Sequence, residues 1–188
     1  MPVLVVIGGP NGSGKTTLTS YLQAKGRIKT SVINPDNIAI THFGSYSHQI
    51  EAAKMALDER KAALVNRVDF AFETTFSGNT ELRDILKAKA LGYKVILYYV
   101  SLPSVIDNIN RIREREQNLG HKVDFHDTIR RYSKSQANLI KHIGSFDNVY
   151  LFDNAGQTRS RVAIFKNGQV VWLNPKHKEN PFYKELFK

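Results

Sequence analysis

The sequence has 188 residues, no cysteine and 41% hydrophobic residues, values typical of a globular protein with one substantial core. The lack of cysteine excludes disulfides, thiolate nucleophiles and cysteine-based zinc sites. Lysine and arginine outnumber aspartate and glutamate by 27 to 17, so the net charge is +10 and anionic partners are favoured. We therefore expect a single domain over residues 1–188.

The apolar runs are all shorter than a membrane span, and the start of the chain lacks the basic leader and cleavage pattern of a signal peptide. These features predict a cytoplasmic protein with no membrane partner. The basic composition leaves open a phosphorylated small molecule, a nucleic acid or an acidic protein as partner. Nucleic acid is less favoured, because the basic residues do not alternate with aromatic residues as in RNA-binding motifs.

The first motif in chain order is a phosphate-binding loop. Residues 9–16 match the pattern G-x-x-x-x-G-K-[ST] without a mismatch, between an apolar strand-like run and an amphipathic segment. Its glycines let backbone N–H groups converge on phosphate oxygens, and the following helix adds its positive N-terminal end. The motif predicts ATP and Mg²⁺, with Lys15 on the phosphates and Thr16 on the metal. The predicted ATP-binding residues of this segment are Gly9, Pro10, Asn11, Gly12, Ser13, Gly14, Lys15, Thr16 and Thr17.

A helix should follow the loop, with Tyr21 facing the core. The next strand stops at Asn34, so Asp36 lies just beyond its carboxyl end, where parallel sheets bind ligands. An aspartate there can accept the proton of a substrate hydroxyl or hold Mg²⁺ through water. A helix cap or turn is the equally open alternative.

The middle of the chain alternates helix and strand. Residues 45–66 predict an amphipathic helix with Ile50 on its apolar face and Arg60 on its polar face. The strand that follows ends in Glu73, Thr74 and Thr75, again on the ligand edge, where they can hydrogen-bond the hydroxyls of a polar substrate. Together with Asp36 they are the candidate substrate-binding residues, since a helix-capping role fits Glu73 poorly.

The next strand, residues 94–100, ends in Ser101 rather than an acid, which disfavours a motor or transporter ATPase. Arginines then flank a helix break near Gly120. This pattern predicts a mobile helical lid over about residues 111–135, whose guanidinium groups stabilise charge on a transferring phosphoryl group. Two solvated helix faces are the alternative. A fifth strand over 148–154, a β-hairpin around Asn167-Gly168 and a basic tail complete the chain, with hairpin and tail over about 159–188.

Taken together, these motifs resemble the zeta-toxin family of small-molecule kinases, in order and from residue 3 to about residue 155. The segments that carry the resemblance are residues 9–17, Asn34-Pro35-Asp36, Glu73-Thr74-Thr75, Arg115 with residues 120–123, and residues 129–135. It implies a three-layer α/β P-loop kinase fold with a parallel central sheet and a helical lid. It also implies Mg²⁺-dependent transfer of phosphate from ATP to a sugar hydroxyl of a nucleotide sugar, UDP-N-acetylglucosamine in the best-known members, by a toxin with an antitoxin partner.

The same resemblance implies roles for single residues. Asp36 would be the base, Lys15 would bind phosphate, and Arg115 with Arg130 or Arg131 would be the lid arginines. Glu73 and Thr75 would contact the acceptor, and Asp153 and Asn154 would lie near the adenine, unless that region is a plain extension of the sheet.

The chain departs from the family pattern at two positions. Ser77 stands where the family has an arginine, and Leu119 replaces the first glycine before Gly120-His121. A missing arginine removes a bidentate partner for a diphosphate. NAD, another metabolite or a nucleic-acid end therefore remain alternative acceptors, and a nucleotide-binding interaction protein with weak or no catalysis remains an alternative function.

Overall fold

The computed structural model describes residues 1–119 and 125–187, without the side chains of residues 115–119 and 125. One seven-stranded sheet runs through the protein. Its strands are β1 (Val3–Gly8), β2 (Val32–Ile33), β3 (Phe70–Thr74), β4 (Lys94–Ser101), β5 (Asn148–Asp153), β6 (Ser160–Lys166) and β7 (Gln169–Leu173). They are arranged in the order β2-β3-β1-β4-β5-β6-β7, with the first five parallel and the last two antiparallel to their neighbours.

Helices pack on both faces of this sheet. They are α1 (Lys15–Ala24), α2 (Pro35–Phe43), α3 (Gln49–Asn66), α4 (Asn79–Ala90), α5 (Val105–Leu119), α6 (Phe125–His142) and the single turn α7 (Pro181–Lys184). The predicted α/β fold with a parallel central sheet and a C-terminal hairpin is confirmed. None of the described helices combines the length and the apolar character that crossing a membrane requires.

The two faces of the sheet carry separate apolar clusters because successive strand residues point to opposite sides. On the first face, residues such as Leu4 and Val6 pack with buried side chains of α3, α4 and α6. On the second face, Val5 and Ile7 pack against α1. Burial on both sides explains why β1 is apolar without alternation.

Three sequence-based expectations about side chains are wrong. Ile50, expected on the apolar face of α3, is 83% exposed, and Tyr21, expected in the core, is 49% exposed. Arg60, expected on the polar face, is buried, and its Nε donates to Asp84 Oδ2 of α4 at 2.8 Å. The helical period identifies a face, whereas the neighbouring elements decide how wide its buried part is.

Candidate active site

The phosphate loop, residues 9–16, joins β1 to α1. Gly9 and Gly14 have φ angles of 145° and 96°, which side chains rarely adopt. A Cβ on Gly9 would lie 2.2 Å from the carbonyl oxygen of Val100, and one on Gly14 would lie 2.5 Å from Nδ2 of Asn154. The loop therefore packs directly against the carboxyl ends of β4 and β5, and glycine is required at both positions.

Lys15 begins α1, and its side chain bends back over the loop. Its Nζ donates to the carbonyl oxygen of Pro10 at 3.0 Å. Across the loop, the backbone N–H of Ser13 donates to the same carbonyl oxygen at 3.3 Å. The ammonium group thus lies at the loop that is predicted to hold the phosphates.

Glu73, near the end of β3, connects this strand to the first turns of α1. Its carboxylate is buried and accepts hydrogen bonds from Thr16 Oγ1 at 3.2 Å and from Thr19 Oγ1 at 2.6 Å. The sequence led us to expect Glu73 beside the acceptor. The structure places its carboxylate against Thr16, the predicted metal ligand, and the contact of Glu73 with the acceptor stays a prediction.

These oxygen atoms fit Mg²⁺. The cation takes hard oxygen ligands, keeps several waters and needs only one or two protein groups beside the substrate phosphates. The Thr16 hydroxyl and the Glu73 carboxylate supply such groups at the phosphate loop. Among the described residues, no group of three His, Asp or Glu side chains could hold a metal ion by itself.

Asp36 lies in the first turn of α2, immediately after β2. The register aligns Ile33 of β2 with Phe72 of β3, and Phe72 with Val6 of β1. Asp36 is three residues beyond Ile33, as Gly9 is three residues beyond Val6. Asp36 and the phosphate loop thus follow the carboxyl ends of β2 and β1, two strands that are two spacings apart in the sheet, about 10 Å.

The Asp36 carboxylate is available for chemistry. Asn34 is the N-cap of α2, and its side chain accepts the Asp36 backbone N–H at 2.9 Å. The alternative cap role of Asp36 is thus filled by another residue. Asp36 is exposed, and its carboxylate makes no hydrogen bond or ion pair within residues 1–119 and 125–187.

The segment after β3 is held in one conformation. Phe76 has a φ of 59° and is fully buried, and its N–H donates to Thr74 Oγ1 at 2.9 Å. Asn138 of α6 donates from Nδ2 to the Phe76 carbonyl oxygen at 3.0 Å. Thr75 and Ser77 share a hydroxyl hydrogen bond of 2.8 Å. The Ser77 hydroxyl therefore closes onto its own segment and does not replace the arginine expected there.

Asn154 contacts the phosphate loop directly. The side-chain Nδ2 of Asn154 donates to the Ser13 carbonyl oxygen at 2.9 Å. The backbone carbonyl oxygen of Asn154 accepts from Arg111 Nη2 of α5 at 2.7 Å. Its neighbour Asp153 is buried, with Oδ1 accepting the Ala155 N–H at 2.7 Å. The structure thus places Asn154 at the loop. Arg111, missed as a candidate site residue, is the first arginine of the predicted lid.

The two arginines of α6 share one acidic partner. Asp127 forms ion pairs with Arg130 and with Arg131, and the hydrogen bond from Arg130, together with the charge of Arg131, lowers the pKa of its carboxyl. Arg131 lies on the helix face of Ser135 and Asn138, because residues three and four apart are neighbours on a helix. This is the face that contacts the segment after β3.

The rest of α6 is anchored to β4. The Tyr132 hydroxyl donates to the Leu102 carbonyl oxygen at 2.6 Å, and the hydroxyls of Ser135 and Tyr99 share a hydrogen bond of 2.8 Å. Burial raises the pKa of Tyr132 to about 12, so its hydroxyl remains a donor at neutral pH. α6 is therefore fixed to the sheet from Tyr132 onward.

Two parts of the predicted lid lie outside the described residues, namely the Arg115 side chain and the segment 120–124 with Gly120 and His121. Within the part that is described, α5 ends at Leu119 and α6 begins at Phe125, on either side of the predicted helix break. The mobile lid over about residues 111–135 stays a prediction.

The family model described as "Zeta toxin" matches residues 1–174 of the chain. An uncharacterized protein of Haemophilus influenzae is 35% identical over 115 residues, which are 60% of this chain and 80% of the relative.

Solved structures share the fold. A chain of the AvrRxo1-ORF1:-ORF2 crystal structure with ATP superposes with a TM-score of 0.71 and 19% identity, over 99% of this chain and 63% of that chain. A structure of the PezAT chromosomal toxin-antitoxin system of Streptococcus pneumoniae gives a TM-score of 0.63 and 19% identity, over 100% of this chain and 78% of that chain. A chain of the Pnkp1/Rnl/Hen1 RNA repair complex superposes with a TM-score of 0.57 and 22% identity, over 74% of this chain and 46% of that chain. The chain thus spans less than two thirds of the AvrRxo1 chain.

Proposed function

Because the chain belongs to the zeta-toxin family, we propose that it is a cytoplasmic ATP-dependent kinase that phosphorylates a hydroxyl of a nucleotide sugar resembling UDP-N-acetylglucosamine. The fold and the family are those of a phosphate-loop kinase. The observation that carries the proposal is Asp36, whose carboxylate makes no hydrogen bond or ion pair within the described residues and which lies on the same sheet edge as the phosphate loop.

In the proposed reaction, the acceptor hydroxyl oxygen attacks the γ-phosphorus while its proton passes to the Asp36 carboxylate. The bond between the γ-phosphorus and the β,γ-bridging oxygen breaks, and ADP leaves with the electron pair. The two strand spacings between β2 and β1, about 10 Å, leave room for a γ-phosphate and an acceptor hydroxyl between the ends of these strands.

The cationic groups of the site would stabilise the phosphates. Lys15 lies at the loop, Arg111 is held beside it by Asn154, and Arg131 lies on the α6 face that contacts the segment after β3. Between Arg130 and Arg131, this placement favours Arg131 as the arginine that faces the phosphates. Mg²⁺, held by Thr16 and Glu73, would neutralise charge on the phosphate oxygens.

The acceptor would lie between Asp36 and Thr75. The Thr75 hydroxyl can exchange its partner Ser77 for a substrate hydroxyl at little cost, because hydroxyls both donate and accept. Ser77 brings no positive charge to this segment, so a diphosphate would need another cation. Because Ser77 replaces the arginine of the family pattern, NAD, other metabolites and nucleic-acid ends remain competing acceptors.

We further propose that the protein is a toxin inhibited by an acidic antitoxin protein. One structural neighbour belongs to the PezAT toxin-antitoxin system, and another is the AvrRxo1-ORF1:-ORF2 assembly. The net charge of +10 supports an acidic partner.

The experiment is a phosphotransfer assay with ATP, Mg²⁺ and a panel of UDP-N-acetylglucosamine, UDP-glucose, NAD and 5′-hydroxyl oligonucleotides, read by mass spectrometry. We expect a phosphate adduct on UDP-N-acetylglucosamine. Asp36→Asn should lower the rate by about 10²–10⁴-fold. Asp58→Asn, an exposed residue of α3, is the matched control and should leave the rate unchanged. Phosphate on oligonucleotides alone would contradict the nucleotide-sugar proposal, and an active Asp36→Asn would contradict the assigned base.

A further inference from the structure

The second face of the sheet is left open at its β7 end. Its apolar cluster takes helical residues from α1, Leu18 and Leu22, and reaches no further than Phe152 of β5. Beyond it, Ile164 of β6 is only half-buried and Trp172 of β7 is 42% exposed. The described residues thus provide no apolar cover for this end of the face.

Arginine and aromatic side chains alternate across the open region. The Cζ atom of Arg159 lies 5.2 Å from the ring centroid of Tyr21 and 5.6 Å from that of Phe152. The Cζ atom of Arg161 lies 5.9 Å from the rings of both Phe152 and Trp172. We call these five residues the arginine–aromatic row. Ring contacts hold guanidinium groups by their faces and leave N–H edges for carboxylates or phosphates.

Most of the net positive charge lies in the two segments of the sequence that contain the strands and the helix of this face, with Lys15 of the phosphate loop included. Residues 1–35, with β1 and α1, contain four basic and no acidic residues. Residues 148–178, with β5, β6 and β7, contain five basic residues and the buried Asp153. These two segments carry +8 of the net charge of +10. The surface therefore favours an acidic occupant.

The edge strand beside the row is unpaired on its outer side. β7 is the last strand of the sheet, and Val170, Val171 and Trp172 are 39%, 60% and 42% exposed. It contains no charged residue or proline, two of the means by which edge strands avoid pairing, although its ladder with β6 has an irregularity at Val171. Its free backbone groups are a template for an added strand.

We propose that β7 accepts an acidic, extended segment of a partner protein as an eighth strand, with carboxylates of that segment paired to Arg161 and Arg159. Backbone groups of β7 would supply affinity, and the row would select acidic side chains. A second copy of this chain fits poorly, because two surfaces of the same charge would meet. A single-stranded nucleic acid could use the arginines but not the backbone edge of β7. The proposal is independent of the proposed kinase activity.

Trp172 is the only tryptophan of the chain, so its fluorescence reports on this surface. The probe is a fluorescein-labelled peptide of alternating glutamate and valine, followed by anisotropy with the full chain, and unlabelled peptide is used for the Trp172 emission. We expect saturable binding that weakens with salt and protects Trp172 from acrylamide quenching. Arg161→Glu should weaken binding at least about tenfold, or about 1.4 kcal/mol. Lys54→Glu, the same charge change on exposed α3, should leave it unchanged.

A second pair of variants tests the strand edge. Val171 has no partner in the β6–β7 register, so Val171→Pro blocks the outer edge without removing a pair of that ladder. Val171→Glu leaves the backbone N–H in place and repels the acidic peptide by its charge. This variant tests the strand edge even if Val171→Pro does not fold. Both should abolish binding while phosphotransfer persists, which separates this proposal from the kinase proposal.

Three outcomes would overturn the proposal. The first is that the peptide leaves the Trp172 emission and its acrylamide quenching unchanged. The second is that Arg161→Glu and Lys54→Glu lose equal amounts of peptide affinity. The third is that oligo(dT) or self-association protects Trp172 from quenching whereas the peptide does not.

Discussion

Replacing Glu73 by glutamine separates the charge of this carboxylate from its hydrogen bonds. The glutamine oxygen can still accept from Thr19, and its amide nitrogen can donate to Thr16 Oγ1, so both contacts of 2.6 and 3.2 Å are replaceable. We expect a thermal midpoint close to that of the parent. Without the negative charge, however, Glu73 would hold Mg²⁺ less well, and phosphotransfer at limiting Mg²⁺ should fall by at least about 10–100-fold, the loss found when groups that support a metal site are removed.

Glu73→Ala should instead destabilise the fold. Thr19 is buried, and its hydroxyl would lose its acceptor at a cost of about 1–3 kcal/mol, whereas the exposed Thr16 hydroxyl can turn to water. At about 2–4 °C per kcal/mol for a chain of this size, Tm should fall by about 2–12 °C.

The assay is a Mg²⁺ titration of phosphotransfer beside a thermal melt of each variant. Thr19→Val is the control, since it breaks the shorter hydrogen bond and leaves the charge of Glu73 in place. It should lower Tm without moving the Mg²⁺ dependence. If Glu73→Gln leaves the Mg²⁺ titration unchanged, the assignment of Glu73 to the metal is wrong.

Arg60→Met should cost about 3–5 kcal/mol in urea unfolding, because it leaves Asp84 charged and buried, and adding Asp84→Leu should recover most of that loss. Burial raises the pKa of Asp147, but hydrogen bonds from Lys89 and a backbone N–H outweigh it and lower the pKa overall. Its stabilisation should be complete above about pH 4 and vanish as pH falls through the lowered pKa, so Asp147→Asn should flatten the acid side of a Tm profile between about pH 2 and 6. Asn154→Asp cannot donate to the phosphate-loop carbonyl and should lower kcat/KM for ATP at least about tenfold in a steady-state assay, whereas an unchanged value would show that this bond is dispensable.

Local signals predicted much of the fold. The predicted hairpin turns at Asn167 and Gly168, whose φ angles are 50° and 80°. Such turns need residues that tolerate positive φ, a property of the two residues themselves.

The candidate site was only partly predictable. The motif identified Lys15 and Thr16, and the end of a strand identified Asp36, because these signals lie within a few residues of each other. Asn154 and Arg111 approach the phosphate loop from distant parts of the chain. No spacing in the sequence encodes those contacts, since they depend on β5 lying beside β4 and on α5 packing over the loop.

The sequence by itself determined the phosphate loop, the family, the alternation of strands and helices and the excess of positive charge. The loop, the alternation and the charge follow from glycine conformation, side-chain periodicity and composition, whereas the family follows from motifs that resemble it in order along the chain. Only the tertiary structure decided that Glu73 faces Thr16, that Arg60 is buried and that Tyr21 joins an open row of arginines and aromatic rings. The physical reason is that burial and charge pairing depend on which elements become neighbours, and the order of strands in the sheet sets those neighbours.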